Sequence, residues 1–418
     1  MAIRYWLPRV TTSLYPADLM AVLIAASLPW STSLPAIFVG LWLLALVPVI
    51  DFDNFLRLVK RPICFWPIAF FLLALVGTLW SIAPWGVRLY GIGPLAKLLA
   101  IPLLIYHFQR SSRGPWVFTA FFVSSALLMV LSWIVAIAPQ LALKPDAYYG
   151  VPVKNYIDQS QEFALCTVGV LYVVAQSLRQ RQWLKAGVLA IAAIAFFANM
   201  AFVVVSRTAI VTMPIMVGVF ALLYLSRRGM TAVLGVLLVI VVAVWFASPS
   251  LRERTATFFS QYEAYETANE ATSVGLRLEF WRKSLQFFRQ APVIGHGTGS
   301  VKRLFTEAAA NQRGASAEII ANPHNQTLYA AIQWGTIGIA FLYAMWLCHL
   351  LLFRGTSLAH WIGLLVVTQN MLTSVFNSHL FDFHAGWMYV LGVGVAGGMV
   401  LAIQAPAASQ NPPKEDFV

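Results

Sequence analysis

The chain has 418 residues, of which 60% are hydrophobic and only 11% are charged, whereas a soluble domain carries roughly 25% charged residues. Together with a mean hydropathy of +0.74, this composition excludes a soluble protein and indicates an integral membrane protein. The formal net charge of +12 does not indicate nucleic-acid binding, because the basic residues lie mostly in short clusters between apolar segments, an arrangement that orients a membrane protein. The three cysteines are far apart in apolar segments and form no disulfide framework or zinc motif.

Long apolar segments follow one another along the chain. A helix needs about 20 apolar residues to cross the hydrocarbon core, and the apolar residues here do not alternate with polar ones, which predicts helices. The predicted spans are residues 15–30, 33–50, 63–81, 88–107, 115–138, 158–178, 185–205, 208–226, 230–248, 324–352, 357–377 and 384–404. The predicted fold is therefore an all-α polytopic membrane protein with about 12 transmembrane helices.

These spans divide the chain into four parts. Nine helices occupy residues 1–248, a large polar loop occupies 249–323, three helices occupy 324–404, and a disordered tail occupies 405–418. Basic residues concentrate in alternate connections, so the positive-inside rule places those connections and both termini in the cytoplasm. The large loop then lies on the outer face of the membrane.

The middle of this loop predicts an amphipathic helix over residues 276–290. Its apolar residues fall near one face, with basic residues beside them: Leu276, Phe280, Trp281, Leu285 and Phe288, flanked by Arg277, Arg282, Lys283 and Arg289. Such a helix lies in the membrane interface with its apolar side towards the lipid. The alternative is a solvated lid that carries no chemistry.

Arg207 follows Ser206 between two closely spaced apolar segments, so the turn lies at or slightly below the outer membrane surface. A charge at membrane depth costs about 2.5 to 3.5 kcal/mol on insertion scales, and such residues usually face a bundle interior or a wet cavity. The guanidinium offers donors that match a phosphate group. Snorkelling to the interface is the alternative interpretation.

Two further cations lie on the fourth predicted span. Arg88 is at its outer end, and Lys97 is too deep to reach the interface, which predicts a partner or a ligand. Asp158 and Glu162, at the outer end of the sixth span, are the candidate partners, and either can simply neutralise Lys97. Gln161 belongs to the same turn and is a possible substrate-binding residue.

His324 opens the tenth predicted span, with Asn322 as a possible helix cap and Asn325 beside it. A neutral imidazole at a helix start can act as a general base, although a histidine there can also be structural. His296, in the glycine-rich loop 295–299, is a second candidate for substrate binding. That loop lacks the lysine and following Ser or Thr of a P-loop, so it is a weak phosphate-binding signal.

Asp51 and Asp53 resemble the paired acidic motif with which many glycosyltransferases hold a divalent ion. The predicted topology places them on the opposite side of the membrane from the arginines. We therefore interpret them as part of a solvated loop and predict no catalytic metal.

The residues around His324 resemble a signature of the O-antigen ligase branch of the bacterial O-antigen ligase, polymerase and protein O-oligosaccharyltransferase superfamily. The signature is a histidine and an Asn, Ser or Gln, then nine residues, a glycine, two residues, and a Gly, Thr or Tyr. In this sequence His324 and Asn325 are followed, at that spacing, by Gly335 and Gly338. Each motif is short, but their order along the chain is specific.

Three other stretches are similar to the same family. Arg207 and the segment 277–281 occupy the family's other expected basic positions, and residues 292–297 are similar to its usual loop sequence. The layout of about 12 spans extends the similarity over most of the chain.

The resemblance implies a GT-C-like glycosyltransferase of lipopolysaccharide biosynthesis. It would transfer a glycan from undecaprenyl diphosphate to a lipid A core sugar on the periplasmic leaflet of the bacterial inner membrane, with inversion and without metal, cofactor or nucleotide sugar. Arg207 and Arg277, with Arg282 and Arg88, would bind the diphosphate, because its developing charge needs fixed cations. His324 would take the proton of the acceptor hydroxyl.

Other functions stay open. An O-antigen polymerase or a protein O-oligosaccharyltransferase would use the same chemistry, and the choice of acceptor depends on the resemblance alone. An anion transporter with Arg207 and Lys97 at a site near the bilayer centre is the alternative of another class. The long polar loop that ends in a histidine argues against transport.

Overall fold

The computed structural model of the protein describes residues 13–144, 149–204 and 206–404, without the side chains of residues 207, 210, 250, 251 and 254. Within these ranges the ordered elements are all helices and no strand is present. The all-α class predicted from the apolar segments is thus confirmed. The predicted disordered tail, residues 405–418, lies outside the described residues.

The described residues form a series of α-helices that we number in chain order. They are α1 (Tyr15–Ser27), α2 (Ser33–Leu46), α3 (Phe52–Val59), α4 (Pro62–Val76), α5 (Trp85–Ala96), α6 (Ala100–Phe108), α7 (Gly114–Ile137), α8 (Tyr156–Arg179), α9 (Trp183–Phe202), α10 (Arg207–Tyr224), α11 (Arg227–Ala247), α12 (Pro249–Ala268), α13 (Ser273–Gln290), α14 (Val301–Ala309), α15 (Gln326–Leu352), α16 (Leu358–Thr373) and α17 (Phe383–Gln404). Short 3-10 turns lie at Val47–Val49, Lys97–Leu99, Pro139–Leu141 and Gly314–Ala317.

Each predicted span coincides with one helix, except that residues 88–107 cover α5, the 3-10 turn Lys97–Leu99 and α6. The helices differ in length. In the described part of the chain, 7 helical stretches are long and apolar enough to cross a membrane, or up to 8 if Ser33–Val49 and Phe52–Val59, which meet at 117°, form one span. Tyr15–Ser27 and Pro62–Val76 are apolar but shorter, and at 1.5 Å per residue they cover only part of a hydrocarbon core about 30 Å thick. The chain is a multi-pass membrane protein, and the predicted number of 12 crossings stays a prediction.

The helices also differ in how much of their surface is buried inside the bundle. In α17, 83% of the most apolar window is buried, and in α11 none of it is. A Cβ atom on Gly394 of α17 would lie 2.5 Å from the Cβ of Leu104 in α6, so the glycine allows the two helices to approach closely. The centre of the bundle is therefore α17, and α11 lies at its edge.

The large loop has a small apolar core of its own. Phe280 and Phe287 of α13 and Phe305 of α14 are buried together with Ile332 of α15. The apolar side of α13 is thus covered by protein, whereas Leu285 is 45% exposed. The predicted helix exists, but the expectation that its whole apolar face meets lipid is wrong, since α14 and the first turns of α15 cover most of that face.

A break in α15 fastens the loop that precedes α14. Gly335 has φ 60° and ψ −150° inside the helix, and this frees the amide of Thr336 to donate to Pro292 O at 2.8 Å. A Cβ atom at Gly335 would lie 2.3 Å from the carbonyl oxygen of Val293. The first glycine of the predicted motif therefore permits the close contact between α15 and the 292–299 loop.

Candidate active site

His324 lies in the turn immediately before α15. Its φ of 53° is in the left-handed region, and its amide donates to Asn322 Oδ1 at 2.9 Å. The helix cap is Asn325, whose Oδ1 accepts from the Leu328 amide at 3.0 Å. The prediction that Asn322 caps a helix opened by His324 is therefore wrong by three residues, because Asn322 holds the turn and Asn325 caps the helix.

A chain of hydrogen bonds determines which nitrogen of His324 carries the proton. Asn377 Nδ2 donates to Asp382 Oδ2 at 2.8 Å, which orients the amide so that Asn377 Oδ1 faces His324 Nδ1 at 2.9 Å. An amide oxygen only accepts, so Nδ1 carries the hydrogen. Nε2 keeps its lone pair and has no hydrogen-bond partner among the residues that the structure describes.

The surroundings of His324 favour the neutral imidazole. Burial lowers the pKa of His324 below its ordinary value of 6.5, and the nearby charge of Arg277 acts in the same direction, while the hydrogen bond to Asn377 opposes both. The ring also stacks on Phe280, with centroids 6.0 Å apart. At neutral pH the side chain is a base with a free lone pair.

The connection between α16 and α17 supplies residues that the sequence analysis did not identify. Asn377 and Asp382 lie there, and His379 Nδ1 is 3.2 Å from Asp382 Oδ2. The predicted site residue Gln161 contacts His379, with Gln161 Nε2 3.0 Å from His379 Nε2. Several titratable and amide side chains between two apolar segments are a signal that could have indicated this connection.

Lys97 contacts this connection and does not contact the two carboxylates that were predicted as its partners. Its ammonium donates to the carbonyl oxygens of Phe381 and Asp382, at 3.2 and 2.5 Å. Asp158 pairs with His384 at 3.0 Å. Glu162 pairs with Lys154 at 3.0 Å. The predicted pairing of Lys97 with Asp158 or Glu162 is wrong because Asp158 is already bound to His384 and Glu162 to Lys154.

Two arginines of α13 differ in what they contact. Arg282 pairs with Glu279 at 2.8 Å, and its side chain is 69% exposed. Arg277 is half-buried, and no carboxylate pairs with it within the described part of the chain. Because an unpaired guanidinium keeps its donors for an incoming anion, Arg277 is the better placed of the two for binding a diphosphate.

Arg88 and His296 hold the structure around the site. Arg88 donates to the carbonyl oxygens of Ala83 and Thr78, at 2.6 and 2.9 Å. The Nε2 of His296 lies 2.9 Å from the carbonyl oxygen of Phe287. Both predicted substrate-binding residues thus have structural contacts of their own, although Arg88 meets carbonyl groups and no carboxylate there.

The backbone of Arg207 begins α10, and its side chain lies outside the described residues. Helix α9 returns the chain between α8 and α10, so the starts of α8 and α10 lie at the same end of the bundle. The start of α8 carries Gln161, which contacts the α16–α17 connection. The backbone of Arg207 therefore begins at the end of the bundle that holds His324.

Asp51 has a structural role at the start of α3. Its carboxylate accepts from the amides of Asp53 and Asn54, at 3.1 and 3.2 Å, as the N-cap of a helix does. Among the described residues, no group of three or more His, Cys, Asp or Glu side chains is arranged to hold a metal ion.

These features define a class of protein: a multi-pass membrane protein whose large polar loop leads to a turn with a neutral histidine. Arg277, whose charge acts on this histidine, has no ion-pair partner among the described residues. Residues 191–343 match a family model described as O-antigen ligase. This segment runs from α9 into α15 and contains Arg207, Arg277 and His324. The match confirms the resemblance to the O-antigen ligase superfamily and supports a transferase role, with a lipid-linked glycan donor and a lipid acceptor in general. No curated protein matches the chain.

Proposed function

We propose that the protein is an O-antigen ligase of the bacterial inner membrane, with both termini in the cytoplasm and the site in the periplasm. It transfers glycan from undecaprenyl diphosphate to the lipid A core. The observation that carries this proposal is the Nε2 lone pair of His324, which no described residue occupies. Asn377 and Asp382 orient this imidazole, and the charge of Arg277 acts on it. Fixed cations and an oriented base are what transfer from a lipid diphosphate to a neutral hydroxyl requires.

The donor diphosphate binds to arginine side chains. As the bond between the anomeric carbon and the diphosphate oxygen breaks, negative charge grows on the leaving oxygen, and a cation placed there stabilises the transition state. Arg277 and Arg207 supply this charge in our proposal, with Arg88 and Arg282 as outer contributors. Guanidinium groups suit this role because they stay charged and bind phosphate through two donors.

The acceptor hydroxyl lies against His324. Nε2 takes its proton while the hydroxyl oxygen attacks the anomeric carbon from the face opposite the diphosphate, so the configuration inverts. The products are the glycosylated lipid A core and undecaprenyl diphosphate, and the proton leaves His324 to solvent. In our proposal Asn325, Gln161, Lys97 and His296 contact the sugars.

Reconstitution tests the proposal. Purified protein in liposomes receives undecaprenyl-diphosphate glycan and rough lipopolysaccharide, and the products are separated on a gel. We expect a ladder on the lipid A core, unchanged by EDTA, and a loss of about 100-fold or more in rate for His324→Ala, the contribution typical of a general base. His360→Ala, at the start of α16, is the matched control and keeps the ladder.

The same gel separates the other functions. Longer lipid-linked glycan without core attachment would show a polymerase, and glycan on protein would show a protein O-oligosaccharyltransferase. Glycan or anion uptake without covalent product would show a transporter. If EDTA abolished the activity and magnesium or manganese restored it, the metal-free mechanism would be wrong. A normal ladder from His324→Ala would show that His324 is not the general base.

A further inference from the structure

A groove of about 440 Å³ opens on the side of the bundle, away from the site described above. Helices α7, α8, α9, α16 and α17 form it with the end of α1. Its lining is almost wholly apolar and includes Phe118, Phe122, Leu165, Val173, Val366 and Leu391. Phe118 and Phe122 are half-exposed, so the groove is open at the lateral surface of the helices.

One charged side chain lines this groove among the described residues, and it is basic. Lys185 lies in the first turn of α9, is exposed, and has no ion-pair partner in the described ranges. No carboxylate belongs to the lining. An apolar groove with a single free ammonium at one end is complementary to a molecule with a hydrocarbon chain and an anionic headgroup.

The position of Lys185 separates the groove from the active site. Helix α8 begins near Gln161 and ends at Arg179, just before α9. Its 24 residues span about 36 Å at 1.5 Å per residue, so Lys185 lies at the end of the bundle opposite His324. A donor diphosphate at His324 is therefore too distant to place its headgroup at Lys185.

Two aromatic side chains mark the level of this end in the membrane. Trp183 is 66% exposed and Trp116 is 54% exposed, and both lie in the first turns of their helices, α9 and α7. Exposed tryptophans are enriched at the headgroup level of a bilayer. The ammonium of Lys185, two residues after Trp183, is thus at the depth of a phospholipid phosphate.

We propose that the groove binds one acyl chain of an anionic phospholipid, with the lipid phosphate paired to Lys185. The bound chain completes the packing between α7 and α16, and the site is independent of glycosyl transfer. Because the occupant comes from the bilayer, its headgroup charge decides its affinity.

Native mass spectrometry of the full-length protein, taken from vesicles of equal phosphatidylglycerol and phosphatidylethanolamine, tests this site. We expect one phosphatidylglycerol retained about fivefold over phosphatidylethanolamine, the ratio that one lysine beside an anionic headgroup supplies. Lys185→Gln removes the preference. Lys60→Gln, an exposed lysine after α3 and outside the lining, keeps it and is the matched control.

A second variant tests the apolar part. Val173→Trp fills the groove and abolishes retention of either lipid, while the helical circular dichroism of the protein stays unchanged; if this variant does not fold, the comparison of Lys185→Gln with Lys60→Gln decides. Equal retention of both lipids by the wild type, or an equal effect of Lys185→Gln and Lys60→Gln, would overturn the proposal. So would recovery of a polyprenyl lipid in place of the phospholipid.

Discussion

An amide stands between the carboxylate of Asp382 and the imidazole of His324. In a Ser-His-Asp triad the carboxylate contacts the imidazole directly and stabilises its protonated form. Here Asn377 connects the two residues, since its Nδ2 donates to Asp382 and its Oδ1 accepts from His324. The imidazole is oriented by this chain, but the carboxylate of Asp382 does not contact it through the same bond. The tautomer is set while the pKa of His324 stays below its ordinary value.

Replacement of Asn377 tests this arrangement. Asn377→Ala releases the imidazole, and since a small misplacement of a reacting group can cost about 100-fold, we expect a fall in kcat approaching that size. Asn377→Asp places a carboxylate against Nδ1, which raises the pKa of His324 and moves the acid limb of the pH profile upwards. Steady-state kinetics over pH 5 to about 8 measure both.

Gln312→Ala, at an exposed position in the large loop, is the control and leaves kcat and the pH profile unchanged. A normal profile for Asn377→Asp would show that the amide does not act through His324.

Arg277 affects the pH dependence of activity through the pKa of His324. The competent form of His324 is neutral, and burial and Arg277 hold its pKa below 6.5; activity is therefore full above 6.5 and falls as the pH drops through the folded-state pKa. Arg277→Gln removes a positive charge, so the pKa of His324 rises and the acid limb moves to higher pH. KM for the donor rises as well, because the diphosphate loses a partner.

The profile of kcat/KM against pH measures the first effect. Arg289→Gln, which removes an exposed arginine from the other end of α13, should leave the acid limb in place. A limb that moves equally in both variants would assign the effect to net charge and not to Arg277.

At the scale of single elements, two parts of α15 have different roles. Its first part continues from His324 and Asn325, and its break at Gly335 receives the 292–299 loop. Glycine adopts this backbone conformation without a steric penalty, and the amides of Thr336 and Ile337 donate to the loop carbonyls of Pro292 and Val293. The break thereby fixes the loop, and through His296 and Phe287 it fixes α13.

Gly335→Ala tests the role of the break. The new Cβ atom would lie 2.3 Å from Val293 O in a left-handed conformation, so we expect a loss of stability of about 1 to 3 kcal/mol, seen as a lower Tm in detergent. Gly187→Ala, where the Cβ atom meets nothing within 4 Å, is the control and should be neutral or stabilising by up to about 1 kcal/mol. An equal Tm for both variants would show that the break is unimportant.

At the scale of the whole molecule, the topology decides whether the site can meet its substrates. The positive-inside rule predicts that the large loop lies outside and the α3 region inside. Since Cys64 and Cys166 are buried and Cys348 is half-buried, we expect low background labelling by an impermeant maleimide. Thr267→Cys in α12 should be labelled in cells with a permeable outer membrane, and Lys60→Cys only after lysis. The reverse pattern would contradict the periplasmic site.

How far the sequence predicts this structure depends on the distance between the interacting residues. The helices follow from local hydropathy. The pairing of Arg282 with Glu279 was not predicted, although their spacing of i and i+3 is a local signal that could have indicated it. The contacts of His324 with Asn377 and of Gln161 with His379 cross 53 and 218 residues. Such contacts depend on how helices pack, and no periodic pattern in one segment encodes them.

Helix α11 has no buried residue. Because no side chain of α11 is buried against a neighbouring helix, the function of this helix depends on its hydropathy and length and not on the shapes of its side chains. A foreign apolar helix of 21 residues, even one written in reverse order, should then substitute for α11 without loss of transfer, while the same exchange in α17 would leave no working enzyme.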